Sequence, residues 1–179
     1  MSHIVVISGS PRKDGNTALL VQAFVQGAEN ANTVEVISVA DHTVHPCTGC
    51  NACMRAEGYA CVQEDDMTAI FEKLEKADVL VVASPVYLYG ISAQLKAVID
   101  RLHTPRRNTL PIKKLALILV GGAELPELFD SIIVQAQLLR NFFHLEDAGM
   151  VLVRGAREKG AVREGSGLNE AYILGRSIK

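Results

Sequence analysis

The sequence predicts a three-layer α/β fold built on a five-stranded parallel sheet. Three observations predict it. Five short runs rich in β-branched and aliphatic residues recur along the chain. Segments of helical periodicity separate them, as crossovers between parallel strands require. The 179 residues are 49% hydrophobic, which suits one domain with a sizeable core.

The runs are HIVVIS (3–8), TVEVISV (33–39), DVLVVAS (78–84), KLALILV (114–120) and GMVLVR (149–154). Nearly continuous apolar character marks strands buried on both faces. The first helix is predicted from about Thr17 to Asn30, with Leu20, Val21, Phe24 and Val25 on one side. The second is predicted from about Asp66 to Lys76. Its acidic opening, Asp65-Asp66, complements the positive end of a helix, so capping outweighs a paired-carboxylate site. The others are predicted over about Ser92 to Leu102, Leu125 to His144 and Leu168 to Ile178. Right-handed crossovers leave few topologies for this alternation. The flavodoxin-like order 2-1-3-4-5 suits the size, and its ligands bind beyond the carboxyl ends of the strands. With no repeat or linker, residues 1–179 read as a single domain.

The formal net charge is −2, with the charges scattered. That excludes the basic field expected for nucleic acid or acidic membranes. The opening MSHIVVIS is too short for a signal-peptide core, and no apolar run approaches a membrane span. A cytoplasmic protein with reduced thiols is the expectation.

The loops on the predicted ligand rim carry the distinctive residues. SGSPRKDGNT (8–17) joins the first strand to the first helix. Such a turn aims backbone N–H groups and a helix dipole at one spot. Gly9 and Gly15 allow close approach, Ser8, Ser10, Asn16 and Thr17 add donors, and Arg12 adds a charged fork. Asn16 or Thr17 could also cap the helix. The spacing matches neither a Walker A loop nor G-x-G-x-x-G, so a single phosphate monoester is expected. The plain alternative is a polar turn with a capping residue. SPVYLYG (84–90) follows the third strand. Pro85 fixes the turn, Tyr87 and Tyr89 offer a flat wall, and Gly90 permits close contact. The tyrosines could equally pack over the sheet end. Gly121 and Gly122, after the fourth strand, either clear space for a ring or make the turn.

Together GSPRKDGNT, the CTGCNAC…C loop with QEDDM after it, and SPVYLYGISAQLKAVIDR resemble the flavodoxin-like NAD(P)H-dependent FMN reductase family. More narrowly, they resemble its cysteine-bearing branch, which includes the iron–sulfur flavoproteins. The resemblance implies that Ser8, Ser10, Arg12, Asn16 and Thr17 hold the FMN phosphate. It implies that Pro85, Val86, Tyr87, Leu88 and Gly90 line the isoalloxazine ring, with Gly121 and Gly122 bordering it. It also implies a homodimer or homotetramer, with residues 93–105 near the subunit boundary. The implied activity passes electrons from NAD(P)H through FMN to a quinone, flavin, nitro or azo compound, or metal ion. Hydride transfer needs stacking and orientation more than a side-chain acid or base, so no catalytic residue is expected. His3, His42, His45, His103 and His144 are scattered and suggest none.

All the cysteines fall in a loop at about 41–65: Cys47, Cys50, Cys53 and Cys61. Cys50 belongs to both short pairs, which prevents two separate zinc knuckles. Disulfides are disfavoured in the cytoplasm. The run Cys-x2-Cys-x2-Cys can wrap three corners of a [4Fe-4S] cluster, and Cys61 could reach the fourth. Two readings stay open: a cluster held by these four residues, with the protein an electron carrier to redox partners, or four free thiols near FMN.

Overall fold

The computed structural model describes residues 1–179. Its strands are β1 (His3–Ser8), β2 (Thr33–Ser38), β3 (Val79–Pro85), β4 (Lys114–Val120) and β5 (Glu146–Val153). They form one sheet in the order β2-β1-β3-β4-β5, every pair parallel. The helices are α1 (Asn16–Ala28), α2 (Met67–Leu74), α3 (Ala93–Arg101), α4 (Asp130–Phe143) and α5 (Gly167–Ser177). None is long and apolar enough to cross a membrane.

Alternation along the strands builds two cores. Val5, Ile7, Leu80, Val82, Leu115 and Leu117 face α2, α3 and α4, meeting Ile70, Leu95 and Ile132. Ile4, Val6, Val81, Ala116 and Ile118 face α1 and α5, meeting Leu20, Phe24 and Ala171. Side chains that switch face at each residue let one strand serve both layers.

Helices α1 and α5 approach closely enough to require glycine. A Cβ on Gly27 would stand 2.1 Å from the Tyr172 carbonyl oxygen. One on Gly175 would stand 2.1 Å from the Phe24 carbonyl oxygen. Backbone lies against backbone here, so no side chain can yield.

Two boundaries differ from the expectation. Strand β5 starts at Glu146 rather than Gly149, because a bulge carries pairing past that glycine. Leu115 pairs with Asp147 but Leu117 with Met150, and Gly149 takes φ +103°. Helix α4 starts at Asp130; Pro126–Phe129 form a 3-10 turn before it. At the other end His144 closes α4 in the left-handed region, φ 56°, its N–H reaching the Arg140 carbonyl.

Residues 42–66 contain only two short 3-10 turns, Ala52–Met54 and Glu57–Tyr59. The end of α3 clamps this long loop. Arg101 Nη1 donates to Asp65 Oδ2 at 2.6 Å and to the His45 carbonyl at 3.0 Å. Its Nη2 donates to Asp65 Oδ1 at 3.2 Å. The side chains are 2% and 1% exposed. Asp65 also accepts the N–H groups of His45 and Met67. Just past α3, Thr104 Oγ1 donates to the Tyr59 carbonyl at 3.1 Å. Asp65 is therefore a buried anchor joining both stems of the loop, and it reaches one N–H at the start of α2 as well. Asp66 makes no side-chain cap and instead accepts from the Thr43 N–H at 2.6 Å. Burial pushes the Asp65 pKa up. The Arg101 hydrogen bond, the two N–H bonds and the Arg101 charge outweigh it and hold the carboxyl below its ordinary value.

Two predictions follow from these contacts. Gly27→Ala and Gly175→Ala should each overpack the α1–α5 contact by roughly 1–3 kcal/mol. Thermal denaturation should then show Tm lower by roughly 3–10 °C, and an unchanged Tm would mean that the helices part freely. Asp65→Asn leaves Arg101 without its carboxylate and should cost about 3–5 kcal/mol at neutral pH. Because the folded-state pKa is depressed, the contribution of Asp65 is present above the unfolded value near ~3.9 and fades as pH falls through the folded one. Urea titrations should show the gap between wild type and Asp65→Asn shrinking below about pH 4. A gap that stays constant into strong acid would refute the assignment.

Candidate functional site

At the carboxyl end of β1 the chain turns under tight constraint. Gly9 N–H donates to the Ala83 carbonyl at 2.7 Å, extending the pairing with β3. Ser92 Oγ donates to the Gly9 carbonyl at 2.5 Å. A Cβ at Gly9 would lie 2.8 Å from Leu95 Cβ and 3.0 Å from the Ala83 oxygen, so only glycine fits. Ser10 Oγ then accepts from the Arg12 N–H and donates to the Arg12 carbonyl, both at 3.1 Å, folding the loop back. Helix α1 begins at Asn16 with Gly15 at its N-cap position and no side chain capping its first turn. Neither Asn16 nor Thr17 serves as the cap. The positive end of α1 is thus left without a protein acceptor, which suits an anion.

This loop forms one wall of a cleft of about 210 Å3 at the rim of the sheet. Ser10, Arg12, Asn16 and Thr17 line it from that loop, Pro85, Val86 and Tyr87 from the end of β3 and just beyond, and Gly121 and Gly122 from just after β4. Nine of the expected binding residues therefore meet in one place. Three do not line it. Ser8 belongs to β1 and faces a separate depression with Ser38 and Asp41. Leu88 and Gly90 belong to the turn beyond Tyr87.

That turn has both central residues left-handed: Leu88 at φ 47° and Tyr89 at φ 61°. Tyr87 and Gly90 exchange backbone hydrogen bonds at 2.9 Å across it. Such a turn favours Asn-Gly, and non-glycine residues cost roughly 1–2 kcal/mol each there. Ser131 Oγ donates to the Tyr89 carbonyl and helps hold the conformation. The result is a Leu88 side chain that is 98% exposed at the lip of the cleft.

The two glycines after β4 make room for protein atoms. A Cβ on Gly121 would meet Leu128 Cδ2 at 2.6 Å, and one on Gly122 would meet Arg157 Cγ at 3.0 Å. The second contact marks what the sequence reading missed. Residues after β5 close the cleft: Ala156, Arg157 and Lys159 line it, together with Asp14, Gly15 and Val120. The motif RGAREKG carried a usable signal, since a loop after the fifth strand reaches the same rim as the other four. Lys159 bonds Asp14, and that hydrogen bond, followed by the lysine charge, lowers the Asp14 pKa.

The cysteines lie beside α3 rather than in the cleft. Cys47, Cys53 and Cys61 line a small cavity of about 70 Å3 with Arg101, His103 and Arg106. Cys61 also approaches the Arg101 guanidinium. Cys50 is not among the lining residues. Its pKa is lowered, first by the Ala52 N–H and then by the Thr48 side chain. No cysteine is in a disulfide, and no three metal-ligating side chains converge on one point. The donors match an iron–sulfur cluster in kind, but the loop does not gather all four.

The model of the family described as NADPH-dependent FMN reductase matches residues 2–156. An iron–sulfur flavoprotein of Methanocaldococcus jannaschii is 46% identical over 99 residues, covering 55% of this chain and 50% of that protein. One from Methanosarcina thermophila is 39% identical over 123 residues, covering 67% and 63%. The matches thus span about half to just under two-thirds of these relatives' lengths. The solved structure of an NAD(P)H:quinone oxidoreductase from Methanothermobacter marburgensis superposes with a TM-score of 0.79. It is 19% identical and covers 98% of this chain and 96% of that one, a likeness of fold. With most of its length matched by the family model, the chain belongs to the NADPH-dependent FMN reductase family.

Proposed function

We propose that this protein is an FMN-dependent oxidoreductase that takes electrons from NAD(P)H and passes them to a small acceptor. The acceptor class is a quinone, a free flavin, a nitro or azo compound, or a metal ion. The observation that carries this reading is the convergence of three unlike walls on one cleft: an uncapped helix end, a Pro-Val-Tyr wall and a glycine turn. An FMN phosphate suits the first, and a flat ring suits the second.

FMN, when bound, supplies the two-electron chemistry. The chain's residues bind and orient. The N–H groups at the start of α1, with Thr17 and Arg12, would hold the phosphate, while Ser10, its hydroxyl proton given to the Arg12 carbonyl, shapes the loop. Asn16 is already committed elsewhere by its hydrogen bonds to residues 156–160. Pro85, Val86 and Tyr87 would support the ring and exclude water from one side of it. No side chain needs to carry a proton in this scheme. Residues 1–179 would act as one FMN-binding domain in the cytoplasm.

The cleft encloses less than the ~300–1,000 Å3 usual for a ligand pocket. Together with the bare Leu88 at its lip, this supports a homodimer or homotetramer in which a second copy completes the cover. A second reading, an electron carrier between protein partners, has its own support. Three cysteines share one cavity, the donor type that an iron–sulfur cluster takes; Arg101 and Arg106 beside them are already paired with Asp65 and Glu75. The likeness to iron–sulfur flavoproteins points the same way. Such a cluster would require the loop to bring Cys50 inward.

Anaerobic purification followed by a visible spectrum and assays for flavin, iron and acid-labile sulfide tests both readings. The expected result is one FMN per chain with NAD(P)H oxidation in the presence of a quinone. No flavin uptake on reconstitution would refute the proposal, and flavin without iron or sulfide would remove the cluster. Thr17→Val should weaken FMN binding about tenfold or more in a fluorescence-quenching titration, the loss of a hydrogen bond to a charged group. Unchanged affinity would place the phosphate elsewhere.

A further inference from the structure

Asn16 has an unexpected set of partners. Its Nδ2 donates to the Ala156 carbonyl at 3.0 Å and to the Glu158 carbonyl at 2.8 Å. Its Oδ1 accepts the Gly160 N–H at 2.8 Å. A carboxamide has two donor hydrogens and two acceptor sites, so both donors are spent on this one segment. The first residue of α1 thus ties down the chain 140 residues further on. The other side of the segment is tied to the loop after β4. Ala156 N–H donates to the Gly121 carbonyl at 3.0 Å, and Gly155 N–H to the Ala123 carbonyl at 3.1 Å.

This double fastening holds Arg157 in a defined place. Its Nε donates to the Gly122 carbonyl at 3.0 Å, which fixes one edge of the guanidinium. Its two terminal nitrogens make no hydrogen bond and no ion pair. Arg12, which lines the same cleft, has no side-chain partner either. The neighbouring cation differs: Lys159 is paired with Asp14. Two unpaired guanidinium groups therefore line one cleft, one of them oriented by its own backbone bond. A planar fork held in place is the group best suited to bind a phosphate through two bonds.

We propose that Arg157, held by the Asn16 clamp, binds a phosphate of the nicotinamide dinucleotide donor, which makes it a determinant of donor recognition. The proposal rests on the FMN reading above. The FMN phosphate has its place at the open end of α1; Arg157 is held beside it, its segment tied to Asn16 and its Nε spent on the Gly122 carbonyl after β4, so the FMN affinity of its variants tells the two phosphates apart. Of the acceptor classes, quinones, nitro and azo compounds and metal ions bring no phosphate of their own, and only a free flavin nucleotide would; the quinone used in the test removes that case. The donor always carries a pyrophosphate and, in NADPH, a further phosphomonoester. Arg12, on the phosphate loop, lies between the two demands. Asn16 is a positioning residue in this scheme. It acts through the segment it holds and does not touch the donor.

The test uses FMN-loaded wild type, Arg157→Gln, Arg157→Lys and Asn16→Ala. FMN affinity is measured by fluorescence quenching, NADP+ affinity by titration of the FMN-loaded protein, and kinetics with NADPH and with NADH against a quinone. Arg157→Gln should raise the NADP+ Kd and the donor KM about tenfold or more, the usual size of a charged bidentate contact. The rise in KM should exceed the fall in kcat, and the FMN Kd should stay within about twofold. Arg157→Lys should recover part of the loss by restoring charge without the fork, and Asn16→Ala should reproduce the donor defect. A rise confined to NADPH assigns the fork to the 2′-phosphate, and an equal rise for both donors assigns it to the pyrophosphate; each supports the proposal. Unchanged donor KM and NADP+ Kd in Arg157→Gln overturn it, as does loss of FMN with donor binding intact. A wild type that takes up no FMN refutes the functional reading itself, a result seen before any variant is made.

Discussion

The arrangement of this protein depends on the contact at Gly9. Strand β1 lies between β2 and β3, so its carboxyl end marks the point where the order of the sheet reverses. There the Gly9 amide binds Ala83 and the Gly9 carbonyl receives the Ser92 hydroxyl. Both bonds need a backbone without a Cβ. They bring the loop before α1 against the residues that follow β3, and the cleft is the space left between them. The nine residues of α3 carry the constraint onward for about 14 Å. At the far end Arg101 grips both stems of the cysteine loop. One short helix thus has the cleft at its beginning and the thiols at its end.

The sheet was legible because its signals are local. The inner strands β1, β3 and β4 are buried on both faces and apolar nearly throughout, as their runs say; the edge strands β2 and β5 stay largely half-buried or exposed, so the expectation of two covered faces fails for them. The order of the strands follows from handedness and chain length. Local signals fail where a distant partner decides. Gly149 read as the start of a strand because glycine usually interrupts one. In the fold it sits within a bulge, which lets β5 begin three residues earlier. The fourth helix was expected from about Leu125, yet a 3-10 turn over Pro126–Phe129 intervenes before α4.

The cleft was legible in part, and for the same reason. Ser10, Arg12, Thr17 and the Pro85–Tyr87 stretch sit next to the strands that position them. Asn16 did not reveal its role, because its partners lie at residues 156 to 160. The glycines at 121 and 122 were recognisable as space-making residues, but not that the space is filled by Leu128 and Arg157. The cysteine spacing identified a set of donors. It could not show that Cys47, Cys53 and Cys61 share a cavity while Cys50 does not, because left-handed turns at Gly49, Asn51, Gly58 and Tyr59 decide that path.

The seam between α1 and α5 bears on how the chain is made. It joins residues 16–28 to residues 167–177, nearly the whole sequence apart. During synthesis, β1, β3 and β4 can pair and be covered on one face by α2, α3 and α4. The other face keeps only α1 until α5 emerges from the ribosome. The flank of α1 that meets α5, Phe24 and Ala28 among it, stays open to water, and to neighbouring nascent chains, until residues 167–177 have been made. The two glycines that allow such close docking make that closure tight, and it cannot form before residues 167–177 exist.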